Sequence, residues 1–185
     1  MKILIVVDMQ NDFIEGALGT PEAARIVENV VKRIENSKDE MILFTRDTHQ
    51  EDYLATPEGK KLPVVHCVEG TLGWEINESI RNAWKMNPDT IISPELQENT
   101  FNKSVFGSVD LVEFLSYHAS EISEIELLGV CTDICVVSNS IMIKNVLPNV
   151  EIRVNAACCA GVTPESHKAA LQVMEMCQIE IIEKD

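Results

Sequence analysis

The chain has 185 residues, 45% of them hydrophobic, a size and composition that give one globular domain, residues 1–185, with a core of its own. Asp and Glu outnumber Lys and Arg by 30 to 15, a formal net charge of -15, and the lysines form no stripe; long-range repulsion argues against nucleic acid or a membrane surface as partner and leaves a neutral or cationic small molecule as the easier ligand. The start, MKILIVVDMQ, lacks the form of a signal peptide, no apolar run is long enough to span a membrane, and the six cysteines have neither secretory context nor zinc-site spacing, so the expectation is a cytoplasmic protein with free thiols.

Lys2 to Val7 is a β-branched run of the kind buried on both faces of a parallel sheet, and it stops at Asp8. That carboxylate is either a turn residue or a site residue. In the loop MQNDFIEGALGT that follows, Phe13 either packs beneath the loop or walls a pocket. From Pro21 the spacing of Ala24, Val27, Val30, Val31 and Ile34 predicts an amphipathic helix with Thr20 as N-cap. Met41 to Thr45 predicts a second strand, ending in Arg46-Asp47-Thr48-His49, where alternate residues leave the strand on the same side. Asp47, His49 and His66 make an O/N ligand set suited to zinc, manganese or iron, against the plainer alternative of a surface Asp-His pair and a satisfied histidine.

Gly70 to Trp74 reads as a turn, Glu75 to Lys85 as a short helix, and Thr90 to Ser93 as a brief third strand. In FNKSVFGS, Lys103 sits among Phe101, Val105 and Phe106, and Leu111, Val112 and Leu115 give the next helix its inner face. The apolar run Ile125 to Val130 breaks at Gly129-Val130-Cys131-Thr132-Asp133, and a helical period takes over at Ile134, Val137 and Ile141. Cys135 therefore falls in a first helical turn, where unpaired N–H groups and the helix dipole favour a thiolate. The alternative is a buried cysteine packing as a small apolar side chain. Val150 to Val154, a helix from Pro164 to Cys177 capped by Thr163, and an edge strand Ile179 to Ile182 complete the pattern. His118 and His167 fall on predicted helices and read as structural or surface residues.

Strands alternating with helices predict an α/β fold of three layers, α/β/α, around a doubly wound, mostly parallel six-stranded sheet. With the common strand order 3-2-1-4-5-6, strands one and four meet at the switch point, where ligands bind beyond the carboxyl ends. Asp8, Asp47, His49 and Cys135 then share one crevice. No Gly-x-Gly-x-x-Gly follows the first strand, so a dinucleotide is not expected there.

With those residues and Lys103 in place, the chain resembles the isochorismatase-like cysteine hydrolases, and within them the nicotinamidase/pyrazinamidase group. The resemblance is carried, in family order, by VVDMQNDF, RDTH, HCVEGTLG, FNKSVFGS and GVCTDICV. It implies a catalytic triad of Asp8, Lys103 and Cys135, a cis peptide between Val130 and Cys131, and an oxyanion hole formed by the N–H groups of Cys131 and Cys135. It also implies a divalent metal, zinc or else manganese or iron, held by Asp47, His49 and His66 with Glu58 as a fourth acidic ligand. Phe13, Ile134 and Trp74 would contact the substrate. Pro63 stands where many members carry a stacking aromatic, and Ile134 where some carry His, so Trp74 or Phe106 would have to complete the wall. The implied activity is hydrolysis of nicotinamide, or of a pyrazinamide-like aromatic carboxamide, to the acid and ammonia through a thioester, in a homo-oligomer. The alternatives are another small amide or an N-carbamoyl substrate for the same machinery, and a non-catalytic binding domain, which an intact triad disfavours.

Overall fold

A computed structural model describes residues 1–183. In chain order the elements are β1 (Lys2–Val7), α1 (Asn11–Ile14), α2 (Pro21–Glu35), β2 (Glu40–Asp47), α3 (Glu78–Met86), β3 (Thr100–Lys103), α4 (Val109–Tyr117), β4 (Glu124–Val130), α5 (Val137–Val146), β5 (Glu151–Ala160), α6 (Pro164–Met176) and β6 (Glu180–Ile182). Among the described residues six strands form one sheet, ordered β3-β2-β1-β4-β5-β6, and every pairing is parallel. Helices cover both faces, as parallel crossovers require. Among the described residues no helix is long and apolar enough to cross a membrane.

β1 is the centre of the core because it has neighbours on both edges and both faces: Ile3, Leu4, Ile5, Val6 and Val7 are all buried. Each such side chain contributes about 1.5–3 kcal/mol by leaving water. α2 closes one face through Ala23, Ile26, Val30 and Ile34, a spacing of three and four that keeps one stripe inward. Its start is fixed by Pro21 at the first helical position and by Thr20, whose Oγ1 accepts the Ala23 N–H at 3.0 Å.

The third strand is not where local propensity puts it. Of the β-branched stretch Thr90 to Ser93, Ile91 alone touches the sheet, in a single bridge to Met41. The cause is Asn99, whose buried side chain donates to the carbonyls of Ile42 and Ile91, both at 2.9 Å, and accepts the Ser93 N–H at 2.8 Å. An amide side chain stands where a ladder would have formed. The edge of β2 from Phe44 to Asp47 pairs instead with Thr100 to Lys103, which sets Lys103 directly beside Asp47.

β4 ends in a second local device. Gly129 has φ +120, and a Cβ there would lie 2.1 Å from the Val7 carbonyl oxygen, so only glycine lets β4 run this close to β1. The register with β5 shifts between Leu127 and Gly129. The Val130–Cys131 peptide is cis, and the chain then turns through a π-helical segment, Thr132–Val136, before α5 begins. The predicted first α-turn around Cys135 is thus a wider one.

Candidate active site

The carboxyl ends of β1, β2 and β3 and the turn after β4 bring four reactive side chains together. Asp8 follows β1 with φ +48 and is fully buried; its Oδ1 accepts the Thr45 hydroxyl at 2.7 Å. Lys103, the last residue of β3, holds its Nζ 2.7 Å from Asp8 Oδ2 and 3.5 Å from Asp47 Oδ1, and donates to Cys135 Sγ at 3.5 Å. Asn139 of α5 ties the Cys135 turn to the loop after β3: it donates to the Cys135 carbonyl at 2.8 Å and the Phe106 carbonyl at 3.2 Å, and accepts the Ser108 N–H at 2.9 Å. The Cys131 carbonyl takes the N–H groups of Ile134 and Val136, both at 3.1 Å, passing over that of Cys135 between them.

The electrostatics follow from burial and from one cation among three acidic groups. Burial raises Asp8 above the ordinary carboxylate range, with the Lys103 charge opposing it. Burial also lowers Lys103, but Asp8, Cys135 and Asp47 more than compensate and hold it firmly as an ammonium. Burial and the neighbouring Asp8 push the Cys135 thiol well above its usual range, against Lys103. The resting sulfur therefore keeps its proton, unlike the thiolate that a helix N-terminus alone would favour, and Asp8 is the carboxylate beside it. Burial pushes the adjacent Cys131 up to about 12, leaving that thiol inert.

Asp47, His49 and His66 converge beside this group, and their ligand atoms all lie within 4.8 Å of one another. Nε2 of His49 is 3.0 Å and Nε2 of His66 3.4 Å from Asp47 Oδ2. The His66 ring is aimed by its Nδ1, 2.8 Å from the Val64 carbonyl. Nε2 of His49 is buried without a hydrogen-bond partner, because its approach to Asp47 is close but misaligned. An orphaned imidazole nitrogen facing a carboxylate and a second imidazole fits a divalent cation. Burial would raise Asp47, yet the two imidazoles and Lys103 hold it far below the usual carboxylate range. Glu58 Oε1 lies 4.0 Å from His49 Nε2, outside the tight trio but on the same cavity. Two residues of the VVDMQNDF segment brace the cluster: Gln10 accepts the Asp47 N–H at 2.7 Å while donating to its carbonyl at 2.8 Å, and Asp12 accepts the Cys67 N–H at 2.7 Å.

A cavity of about 210 Å³ opens onto Cys135, Cys131, Asp47, His66 and Glu58. Its apolar wall is Phe13, Leu18, Leu62, Phe106, Ile134 and Val162. Trp74 is not on that wall: its indole N–H donates to Thr48 Oγ1 at 2.8 Å, and the Arg46 guanidinium stacks over its ring at 3.7 Å. Phe106 takes the place expected of it. Leu18, Leu62 and Val162 come from three separate connections and carry no sequence signal of a site, whereas Gln10 lies inside a segment already singled out.

The chain matches the isochorismatase domain over residues 2–185. It is 26% identical, over 195 residues and 98% of each chain, to the nicotinamidase/pyrazinamidase of Mycobacterium tuberculosis. Among solved structures, the nicotinamidase/pyrazinamidase of Bacillus subtilis superposes with a TM-score of 0.80 at 26% identity, covering 98% of this chain and 99% of that one. The pyrazinamidase of Pyrococcus horikoshii in complex with zinc gives a TM-score of 0.75 at 26% identity, covering 99% of both.

Proposed function

Since the chain belongs to the isochorismatase domain family, we propose that it is a cysteine amidase that hydrolyses nicotinamide, or a pyrazinamide-like aromatic carboxamide, to the acid and ammonia. The observation that carries this reading is the ammonium of Lys103 lying 2.7 Å from the Asp8 carboxylate and 3.5 Å from the Cys135 sulfur, with Cys135 lining a largely apolar cavity. Asp8 takes the thiol proton as Cys135 attacks the amide carbon, and Lys103 balances the charge that appears on sulfur. The N–H groups of Cys131 and Cys135 receive the oxyanion; losing one such donor costs roughly 10²- to 10³-fold in turnover. Asp8 returns the proton to nitrogen as the C–N bond breaks and ammonia leaves. Water then attacks the thioester, Asp8 takes its proton, and the acid departs as the thiol re-forms.

Asp47, His49 and His66 are the residues that would hold a divalent metal, with Glu58 as a further acidic group in reach of it. Zinc is the proposed ion, by the zinc complex of the Pyrococcus horikoshii pyrazinamidase, with manganese or iron as alternatives. When bound, such an ion supplies an electrophilic contact for a ring nitrogen and orients the substrate. Phe13, Phe106 and Ile134 pack the ring.

The test is ammonia release from nicotinamide and pyrazinamide, with Cys135→Ala as control and with zinc, manganese or iron returned after chelation. Turnover that vanishes in the variant, and a KM that rises at least about tenfold on chelation while kcat falls less, is the expected result. A wild type that releases ammonia only from aliphatic or N-carbamoyl compounds would discard the aromatic substrate and keep the amidase.

A further inference from the structure

His167 stands on the first turns of α6, a position that by itself marks it as structural. In the fold its Nδ1 lies 2.8 Å from Oγ1 of Thr132, the fully buried residue that follows Cys131. A second tie runs beside it: the Val162 N–H donates to both carboxylate oxygens of Asp133, at 3.1 and 3.3 Å. The connection between β5 and α6 and the first turns of α6 thus grip two consecutive residues of the turn that carries the nucleophile.

The local sequence fixes this grip from both sides. Thr163 and Ser166 form a reciprocal capping box, which sets where α6 begins, and the His167 N–H donates to the Thr163 carbonyl at 2.9 Å. Gly161 leaves the gap through which the helix approaches: a Cβ there would lie 2.9 to 3.0 Å from His167 atoms. Within the turn, Ile134 and Val136 close on the Cys131 carbonyl, so the direction of the Cys135 N–H depends on where Thr132 and Asp133 are held.

We propose that His167 is a positioning residue for amide hydrolysis: through the Thr132 hydroxyl it holds the 131–136 turn so that the N–H groups of Cys131 and Cys135 converge on the oxyanion. Its consequence for turnover rests on the amidase reading, whereas the restraint on the turn does not. A displacement of about 1 Å at a reacting group costs on the order of 10²-fold. The substituted groups touch no substrate, so the loss belongs in kcat.

Steady-state kinetics and peptide-level hydrogen exchange over residues 128–137 test this in the full chain supplied with Zn²⁺. His167→Phe should lower kcat about 10- to 100-fold with KM within about twofold, and speed exchange in that segment alone. His167→Asn, whose amide can stand where Nδ1 stood, should restore most of both. On a Thr132→Val background, His167→Phe should add less than about twofold. Wild-type kcat and exchange in His167→Phe would overturn the proposal. So would exchange raised along the whole chain with Asn no better than Phe. If the wild type hydrolyses no amide offered, the amidase reading falls, and exchange in the segment decides alone, unaltered exchange being the overturning result.

Discussion

Two ionic clusters, one half-buried and one buried, lie toward opposite ends of the same parallel strands and differ in how fully they are closed. At the amino end, Arg33 of α2 grips Glu126 of β4 through Nε and Nη2 at 3.0 and 2.7 Å, and Glu40 of β2 through Nη1 and Nη2 at 3.0 and 3.3 Å. Its Nη1 also meets Ser37 at 2.8 Å, and Asn155 donates to Glu126 at 3.1 Å. Every nitrogen of the fork is engaged. At the carboxyl end, Lys103 is a point charge among two carboxylates and a thiol, and the sulfur opens onto a cavity. A saturated planar fork fixes a structure, while a compact ammonium can balance charge that moves between Asp8 and Cys135 with little rearrangement. Buried charge alone does not mark a site; a buried charge with a reactive neighbour facing a cavity does.

Exchanging the two cations is the strongest way to break this contrast. Lys103→Arg should lower kcat by about 10²-fold or more, because a guanidinium fork cannot occupy the ammonium's place against both Asp8 and the sulfur. Near-wild-type turnover in a folded variant would mean that any cation suffices. Arg33→Lys should leave turnover within about twofold and lower stability by about 1–3 kcal/mol, since one ammonium cannot satisfy both carboxylates. Urea unfolding reads the second effect, and a loss of kcat with unchanged stability would reverse the two assignments. The smallest effect is in pH. In the proposed mechanism Asp8 acts ionised, and burial raises its pKa in the fold, so kcat/KM should fall as pH drops through a value above the ordinary Asp range near 4. Because the folded state holds that proton more tightly than the unfolded chain, protonating Asp8 stops turnover without unfolding the protein. Asp47, shifted the other way, gives stability that is present above the unfolded pKa and is lost only as pH falls through its much lower folded value. An acid limb at or below about 4 at saturating metal would contradict the Asp8 shift.

How much of this was legible in the sequence depended on whether the determining contact was local. The sheet order, the helices with caps at Thr20 and Thr163, and the adjacency of Asp8, Asp47 and Cys135 follow from period and punctuation, which act within a few residues. The third strand does not, because its place is decided by Asn99 reaching Ile42 across 57 positions of chain. Trp74 was misplaced for the same reason: a lone aromatic near a site carries no sign of whether it faces the ligand or a neighbouring Arg46. The protonated state of Cys135 was also hidden, since a helix-start argument sees the dipole but not the burial and the Asp8 charge that outweigh it.

The cavity wall has a consequence for how such a protein changes over generations. Lys103 ends β3 and Asp8 directly follows β1, whereas Leu18, Leu62, Phe106 and Val162 come from four separate connections. Insertions and substitutions in those connections leave the strand pairings untouched. Selection can therefore retune which molecules are admitted while the chemistry stays as it was, so diversity of diet and constancy of reaction are divided between different parts of one chain.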